Sequence, residues 1–261
     1  MWSVGRCYVQ PVSGLQIFGV PGLPEIVEGT DLAASIVAAA TAADLALVNG
    51  DIVVVTSKIV SKAEGRTIEL VDVEPSAFAI EWSAAWDKDP AVIEVVLREA
   101  RRIVRQSGPV LITETHHGFV CANSGVDQSS SGAHGRLVLL PTDPDASARR
   151  LRAGLAALGV DAAVIVSDTF GRAWREGQTD IAIGIAGMHP IRSYIGQFDP
   201  HGHEFKVQAV CLADELAGAA ELVKGNISRV PVGVIRGYEW ELDDTATIAP
   251  VLREPSRDLF R

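Results

Sequence analysis

Two rhythms of hydrophobic and polar positions divide the chain. Short, continuously apolar runs bounded by turn formers lie at residues 52–55, 110–113, 119–122, 137–140 and 230–235, and another, led in by Gly159-Val160, ends at Asp168. Runs of this length and β-branched content predict buried strands. Residues 179–186 and 205–210 alternate as half-buried strands do, and residues 15–26 predict a strand running into the stiff turn Pro21-Gly22-Leu23-Pro24-Glu25. The slower, helical rhythm appears at 33–48, where the stretch is Ala-rich and Thr30 or Asp31 can cap it. It returns at 59–62, 74–86, 90–106, 144–158 and 213–223. The helix over 90–106 rests on Val92, Val95, Val96, Ala100 and Ile103, with Arg98, Arg101, Arg102 and Arg105 mostly outward. Trp82 and Trp86 mark one face of the helix before it, packing into a core or a partner. The helix over 144–158 opens on Asp143-Pro144 and ends at Gly159. Beyond Asp243 the tail is polar and Pro-punctuated, and it is expected to be partly loose.

The stretch with the densest chemistry is Val164-Ile-Val-Ser-Asp168-Thr169-Phe-Gly171-Arg172-Ala-Trp174-Arg175. A buried run stops at a carboxylate and a hydroxyl, which places them at the edge of a sheet, where α/β proteins bind ligands. Oxygen donors of this kind suit Mg²⁺ or Mn²⁺, and the two arginines suit phosphate or carboxylate oxygens. A plainer reading fits the same residues: an Asp-Thr helix cap followed by solvated arginines.

Composition narrows the classes. Of 261 residues, 48% are hydrophobic, which excludes a disordered chain and allows one large domain or two modest ones. The 33 acidic against 23 basic residues give a net charge of -10, and a nucleic-acid surface would show the opposite balance. A nucleotide remains compatible, because a metal and a few local cations neutralise a triphosphate. Cys7, Cys121 and Cys211 stand far apart and read as free thiols of a reducing compartment. The N-terminus lacks a secretory pattern, and the 33–48 stretch, interrupted by Thr41 and Asp44, is too short and polar to span a bilayer. The expectation is a soluble, cytoplasmic protein.

Elsewhere the candidates are weaker. Thr56-Ser57-Lys58 links a strand to a helix through small hydroxyl residues, a setting that suits phosphate, although no Walker loop is present. Lys58 and Lys62 would share one helix face, as solvated lysines also do. His116 and His117 read as loop residues. Asp127 stands before the loop 128–135 and taken alone is a turn residue.

Read together, these pieces are more specific. Gly22-Leu-Pro-Glu25, the run from Asp51 through Thr56-Ser57-Lys58 to Lys62, Glu64-Gly-Arg66, Gly125-Val-Asp127, Ser167-Asp-Thr-Phe-Gly-Arg-Ala-Trp-Arg175, Gly177-Gln-Thr-Asp180 and Val223-Lys-Gly-Asn226 occur in one order. The chain resembles the coenzyme F420:L-glutamate ligase family from about Leu15 to Gly237. The resemblance implies an α+β fold, with mixed sheets, packed helices and two intertwined subdomains, as one ligase domain over 1–261. It implies addition of L-glutamate to the deazaflavin precursor F420-0, and of further gamma-linked glutamates, through an acyl phosphate made from GTP. Leu23, Pro24, Glu25, Ile26, Ser57, Lys62, Lys224 and Gly225 would meet the nucleotide. Asp127 and Asp168 would hold one divalent metal, and Thr169 with Asn226 a second; K⁺ is a further candidate cation. Arg172 and Arg175 are candidates for the phosphodiester or carboxylates of the precursor, or for charge at the transferred phosphoryl group. Ser130 stands where the family has an asparagine that meets the nucleotide, and Asn226 where some relatives have glutamine. Some relatives continue into a flavin-binding domain; this chain would be a stand-alone ligase or the first of two domains. A homodimer is expected, with no nucleic acid and no membrane. Against it stand another phosphoryl-transfer or hydrolytic enzyme, a non-catalytic nucleotide-binding module, and a flavin oxidoreductase, the last without a dinucleotide Gly-rich fingerprint.

Overall fold

The computed structural model describes residues 14–128, 135–225 and 227–258. In chain order, β1 (Gln16–Gly19) leads to α1 (Leu32–Ala42), β2 (Ile52–Thr56) and α2 (Ser57–Ala63). The chain then leaves on an excursion: β3 (Thr67–Glu69), α3 (Ala77–Trp86), α4 (Pro90–Glu99), β4 (Ala100–Ser107), β5 (Val110–Thr115), β6 (Val120–Ala122) and β7 (Arg136–Val138). It returns through α5 (Pro144–Ala157), β8 (Ala163–Arg172), β9 (Arg175–Met188), β10 (Ile191–Ser193), β11 (Ala209–Cys211), α6 (Leu212–Lys224), β12 (Val232–Arg236) and β13 (Leu242–Asp243).

A six-stranded sheet in the order β1-β12-β2-β8-β9-β13 forms the main body. Its central pair, β2 and β8, is parallel, and its other pairs are antiparallel. Residues 52–55 and 163–166 are wholly inaccessible to solvent. That explains their continuously apolar sequence, since a strand covered on both faces has no polar side. Each buried Val or Ile there contributes roughly 1.5–3 kcal/mol relative to exposure. Helices press closely on this sheet: a Cβ on Gly184 of β9 would lie 2.4 Å from the Pro144 backbone of α5, and one on Gly233 of β12 would lie 2.9 Å from Ala220 of α6. The excursion carries its own small cores, around Val95, Leu137 and Leu139, and around Ala79, Trp82, Ile93, Val96 and Leu111. The fold is therefore α+β, as expected.

Several expectations change. The helix predicted over 90–106 stops at Glu99, and residues 100–107 pair with β5, turning back at Gly108 with φ of 56°. The β-branched Ile103 pairs with Thr113 across the strands, while Arg101 and Arg102 reach Glu114 of β5. Tertiary pairing overrides a helical pattern that apolar spacing alone continued. The Ala-rich helix ends at Ala42, before the left-handed Asp44, and Asp31 rather than Thr30 caps it with 3.0 Å to Ala34 N. Of residues 205–210 only the end joins a strand, because the Phe205 N–H turns back to Gln197 O. Trp82 is buried in its cluster, whereas Trp86 is exposed. The tail beyond Asp243 is anchored rather than loose through residue 248: Ala246 and Ile248 are buried, and Ile248 N donates to Asp145 of α5. Among the described residues no helix is long and apolar enough to cross a membrane.

Candidate functional site

The run before Asp168 does not end there. β8 continues to Arg172 and turns at 173–174 into β9, so Asp168 and Thr169 lie within a hairpin, and the helix-cap reading fails. Thr169 faces Asp180 across the strands, and the hairpin's register is irregular between Val166 and Ser167 and at its turn. Strand alternation therefore sends Asp168 to one side and Ser167 with Thr169 to the other.

On Asp168's side stands α2. Its first residue, Ser57, is buried and donates from Oγ to Asp168 Oδ1 at 2.9 Å. The next, Lys58, lies 2.6 Å from Asp127 Oδ2. One turn further, Lys62 lies 2.6 Å from Glu25, which sits in the Leu23–Ile26 turn. A bond from Gly29 N to Ala63 O ties the chain just after that turn to the helix. A seven-residue helix thus gathers three other stretches, the farthest of them 111 positions away in sequence.

Asp127 is delivered by the excursion. Asn123, Ser124 and Gly125 all have left-handed φ (52°, 55° and 69°), a combination that needs outside support in non-glycine residues. Ser124 supplies it, its buried hydroxyl meeting Val96 O and Thr113 Oγ1 at 2.9 Å each. The bridge Asp127–Val138 then fixes the acid's backbone, and Phe119 packs edge-on against Phe170 of β8.

Electrostatically this side is short of positive charge. Burial pushes the Asp168 carboxyl up to about 7; the charges of Asp180 and Asp127 push the same way, against hydrogen bonds from Ser57 and Thr169 N–H. The neighbouring Cys121 thiol is pushed to about 12, mainly by burial. Two oxygen acids beside each other, one ionising reluctantly, form a donor set that a hard divalent cation completes. Among the described residues no three His, Cys, Asp or Glu side chains form a metal cluster, so the fit rests on these two carboxylates and the nearby hydroxyls.

The opposite side is complete. Thr169 Oγ1 donates to Asp180 Oδ1 at 2.7 Å, and Ser167 Oγ donates to Asp180 Oδ2 at 2.9 Å. Lys224, the last residue of α6, lies 2.7 Å from Asp180 Oδ2 and 2.8 Å from Ser167 Oγ. Lys224 and Asp180 are 1% and 3% exposed. Glu221 stands 3.7 Å from the ammonium, its carboxyl raised by burial and then by Asp180.

Of the residues expected at a site, Glu25, Ser57, Lys62, Asp127 and Asp168 meet around α2, with Leu23, Pro24 and Ile26 in the turn held there. Thr169 lies behind them on the Asp180 side. The Lys224 ammonium is directed inward, leaving the exposed Gly225 as the surface residue of that pair. Ser130 and Asn226 lie outside the described residues. Arg172 and Arg175 are not brought to Asp168: they are exposed where the hairpin turns, roughly 13 Å along the strand at about 3.3 Å per residue. Arg172 donates to Glu176 O at 2.9 Å, within its own hairpin. In sequence Lys58 shows as part of a phosphate-suited strand-to-helix link and of a shared helix face with Lys62, and Asp180 only as part of a motif. The signal for Asp180 was an acid opening an otherwise apolar strand.

Comparison with known proteins bears on the family of the chain. The family model described as F420-0:Gamma-glutamyl ligase matches residues 22–237. The chain is 41% identical to the Coenzyme F420:L-glutamate ligase of Methanothermobacter thermautotrophicus, over 95% of this chain and 99% of that protein. It is 43% identical to the protein of that name from Methanopyrus kandleri, over 95% and 98%. The like-named protein of Halobacterium salinarum is 42% identical over 87% of this chain and 88% of its own.

Proposed function

Because the chain belongs to the F420-0:gamma-glutamyl ligase family, we propose that it joins L-glutamate to F420-0 through an amide, using GTP and a divalent metal. Further gamma-linked glutamates would follow by the same chemistry. A carboxylate resists attack by an amine, because it is a poor electrophile and has no leaving group. Transfer of the outer phosphate of GTP to the carboxylate oxygen repairs both defects, giving an acyl phosphate and GDP. The glutamate amine then attacks the acyl carbon, the C–O bond to phosphate breaks, and the amine proton is lost. The products are amide, GDP and phosphate.

The observation that carries this reading is the meeting of Asp127 and Asp168 at consecutive residues of α2, Lys58 and Ser57. Asp127 and Asp168 would hold Mg²⁺ or Mn²⁺, and Thr169 with Asn226 a second ion; K⁺ remains a candidate beside them. Bound there, a divalent cation supplies positive charge to the phosphates and lowers their repulsion toward the carboxylate. Lys58 and Lys62 would leave their acid partners and pair with phosphate oxygens, while residues 23–26 and 224–231 border the nucleotide. Ser130 belongs to the same expected pocket. Arg172 and Arg175 would meet the phosphodiester or carboxylates of F420-0. The working unit would be a homodimer in the cytoplasm, and light scattering on the purified protein tests its size.

Incubation with F420-0, GTP, L-glutamate and Mn²⁺, followed by mass spectrometry, is expected to show products heavier by one or more glutamyl units, with GDP in step. GTP loss without glutamate incorporation would point to a hydrolase, and nucleotide binding without turnover to a binding module; either outcome overturns the proposal.

A further inference from the structure

The end of the β8–β9 hairpin leaves the sheet. In the body β8 lies between β2 and β9, but its pairing with β2 stops at Ser167, and β9 meets β13 only at Gly187 and Met188. Beyond Phe170 the two strands pair only with each other among the described residues, and residues 171–178 are all exposed. Two strands alone hold together weakly in water, so folding by itself would favour good turn chemistry here. The turn is instead Ala173-Trp174, with Trp174 at φ 59°, where glycine or asparagine sits at less cost. The largest of side chains occupies the left-handed position and is 78% exposed. Local rules are broken in this way mostly where function requires it.

What the tip offers a ligand is specific. Trp174 presents a π face between two arginines in sequence, and residues 171–178 hold Arg172 and Arg175 against Glu176 alone, a locally positive stretch in a chain of net charge -10. Arg172 is held in place, its Nη2 donating to Glu176 O at 2.9 Å and its Nε to Gly177 O at 3.4 Å. A flat ring joined to an anion suits such a surface, the ring on the indole and the charge on a guanidinium. Alternation along β8 carries Phe170 and Arg172 on the side of Asp168. Arg172 lies roughly 13 Å along the strand from that acid, at about 3.3 Å per residue. In F420-0 the deazaflavin ring and the carboxylate to be activated stand at opposite ends of a polyol phosphodiester chain. Its length of about ten bonds, at roughly 1.2 Å per bond, reaches on the order of 12 Å.

We propose that Trp174 is a binding residue on which the deazaflavin ring of F420-0 stacks, while the carboxylate of the same molecule reaches toward Asp127 and Asp168. This rests on the proposed ligase reading and adds to it the group that holds the end of the substrate where no bond changes.

The test measures binding of F420-0, and of its ring-and-polyol fragment without the phosphodiester, by the anisotropy of the deazaflavin fluorescence, with no GTP or metal present. Wild type, Trp174→Phe and Trp174→Gly are compared, with thermal melting and light scattering on each. Trp174→Gly removes the ring and relieves the turn, so it is expected to melt at or above wild type. It is expected to bind both probes about 10-fold more weakly, as loss of a stacking aromatic does, whereas Trp174→Phe stays within about threefold. In ligation Trp174→Gly is expected to raise KM for F420-0 rather than lower kcat. Equal affinity of wild type and Trp174→Gly for the ring fragment overturns the inference. A changed assembly size with unchanged affinity overturns it as well and assigns the tip to a contact between copies. If Trp174→Gly alters both, tryptophan emission decides: quenching by the ring fragment that is no greater in wild type than in Trp174→Phe overturns it. Wild type that binds the ring fragment but adds no glutamate brings down the ligase reading, whereas active wild type with indifferent variants brings down only this inference.

Discussion

Asp168 and Thr169 are neighbours in sequence and live in opposite electrostatic conditions. Toward α2, Asp168 and Asp127 meet a serine hydroxyl and the ammonium of Lys58 at consecutive helix residues, and burial with the nearby acids holds Asp168 reluctant to ionise. Toward α6, Asp180 has a buried ammonium and two hydroxyls within 3 Å, leaving nothing for a ligand to complete. A site poised to bind cations or phosphate is unfinished in their absence; a structural node is finished. The difference separates what the hairpin does from what holds it.

The sharpest way to break the contrast is to damage the finished side. Lys224→Met removes the cation from Asp180 and leaves a carboxylate in the core. Breaking a buried pair this way costs about 3–5 kcal/mol. For a chain of this size each kcal/mol is worth roughly 2–4 °C, so the melting temperature is expected to fall by about 6–20 °C. Calorimetry checks it, and an unchanged melting temperature would mean that the pair is not closed to water.

The unfinished side predicts the opposite sign. The Asp168 carboxyl is raised in the folded state, to about 7 from an unfolded value near 4. Between those values the folded protein binds more protons than the unfolded one, so stability falls as pH rises from about 4 through 7. Asp168→Asn removes that slope. At pH 8 and without metal it is expected to be about 1–3 kcal/mol more stable than wild type while losing ligation. Denaturant titrations of both proteins at pH 5 and pH 8 measure this. A variant less stable than wild type at pH 8 would show that Asp168 is held as firmly as Asp180.

How much of this contrast could be read from sequence depends on the range of the interactions. Asp168 was legible because it closes a short apolar run, and Asp127 only because it belongs to an ordered set of motifs. Their meeting at α2 could only be inferred through resemblance, since Ser57 and Asp168 are 111 residues apart. The division between Asp168 and Thr169 was hidden, because no turn signal marks how far β8 runs until Gly171. The helix drawn through residue 106 failed for a similar reason. Val92, Val95 and Val96 are helical in spacing and in fact, but the pattern passes unbroken into Ile103, and only pairing with β5 stops it. The Asp180–Lys224 pair spans 44 residues and two element types, and no local pattern announces it.

A smaller effect sharpens the comparison from within the α2 side. The Lys58–Asp127 pair is about one-third exposed at each end, so it is worth no more than about 1 kcal/mol to the fold. Lys58→Met is expected to change stability within that limit and to weaken GTP use strongly, seen as a raised KM for GTP, a lowered kcat or both. A large stability loss with normal kinetics would make Lys58 a strut rather than a ligand group.

The smallest effect belongs at the hairpin turn. Arg172 and Arg175 are exposed, as is Trp174 at 78%, and Arg172 bonds only backbone carbonyls of its own hairpin. Alanine at either position is expected to move stability by no more than about 0.5 kcal/mol. Their separation from Asp168 along β8 makes them poor candidates for charge at the transferred phosphoryl group within one chain. It leaves them suited to the remote phosphodiester or carboxylates of F420-0. The two roles part in the kinetics: loss of remote binding raises KM for F420-0 at unchanged kcat, whereas loss of transition-state charge lowers kcat. A raised KM in Arg172→Ala and Arg175→Ala is the expected result. A fall in kcat alone would place the turn of the hairpin at a reacting centre.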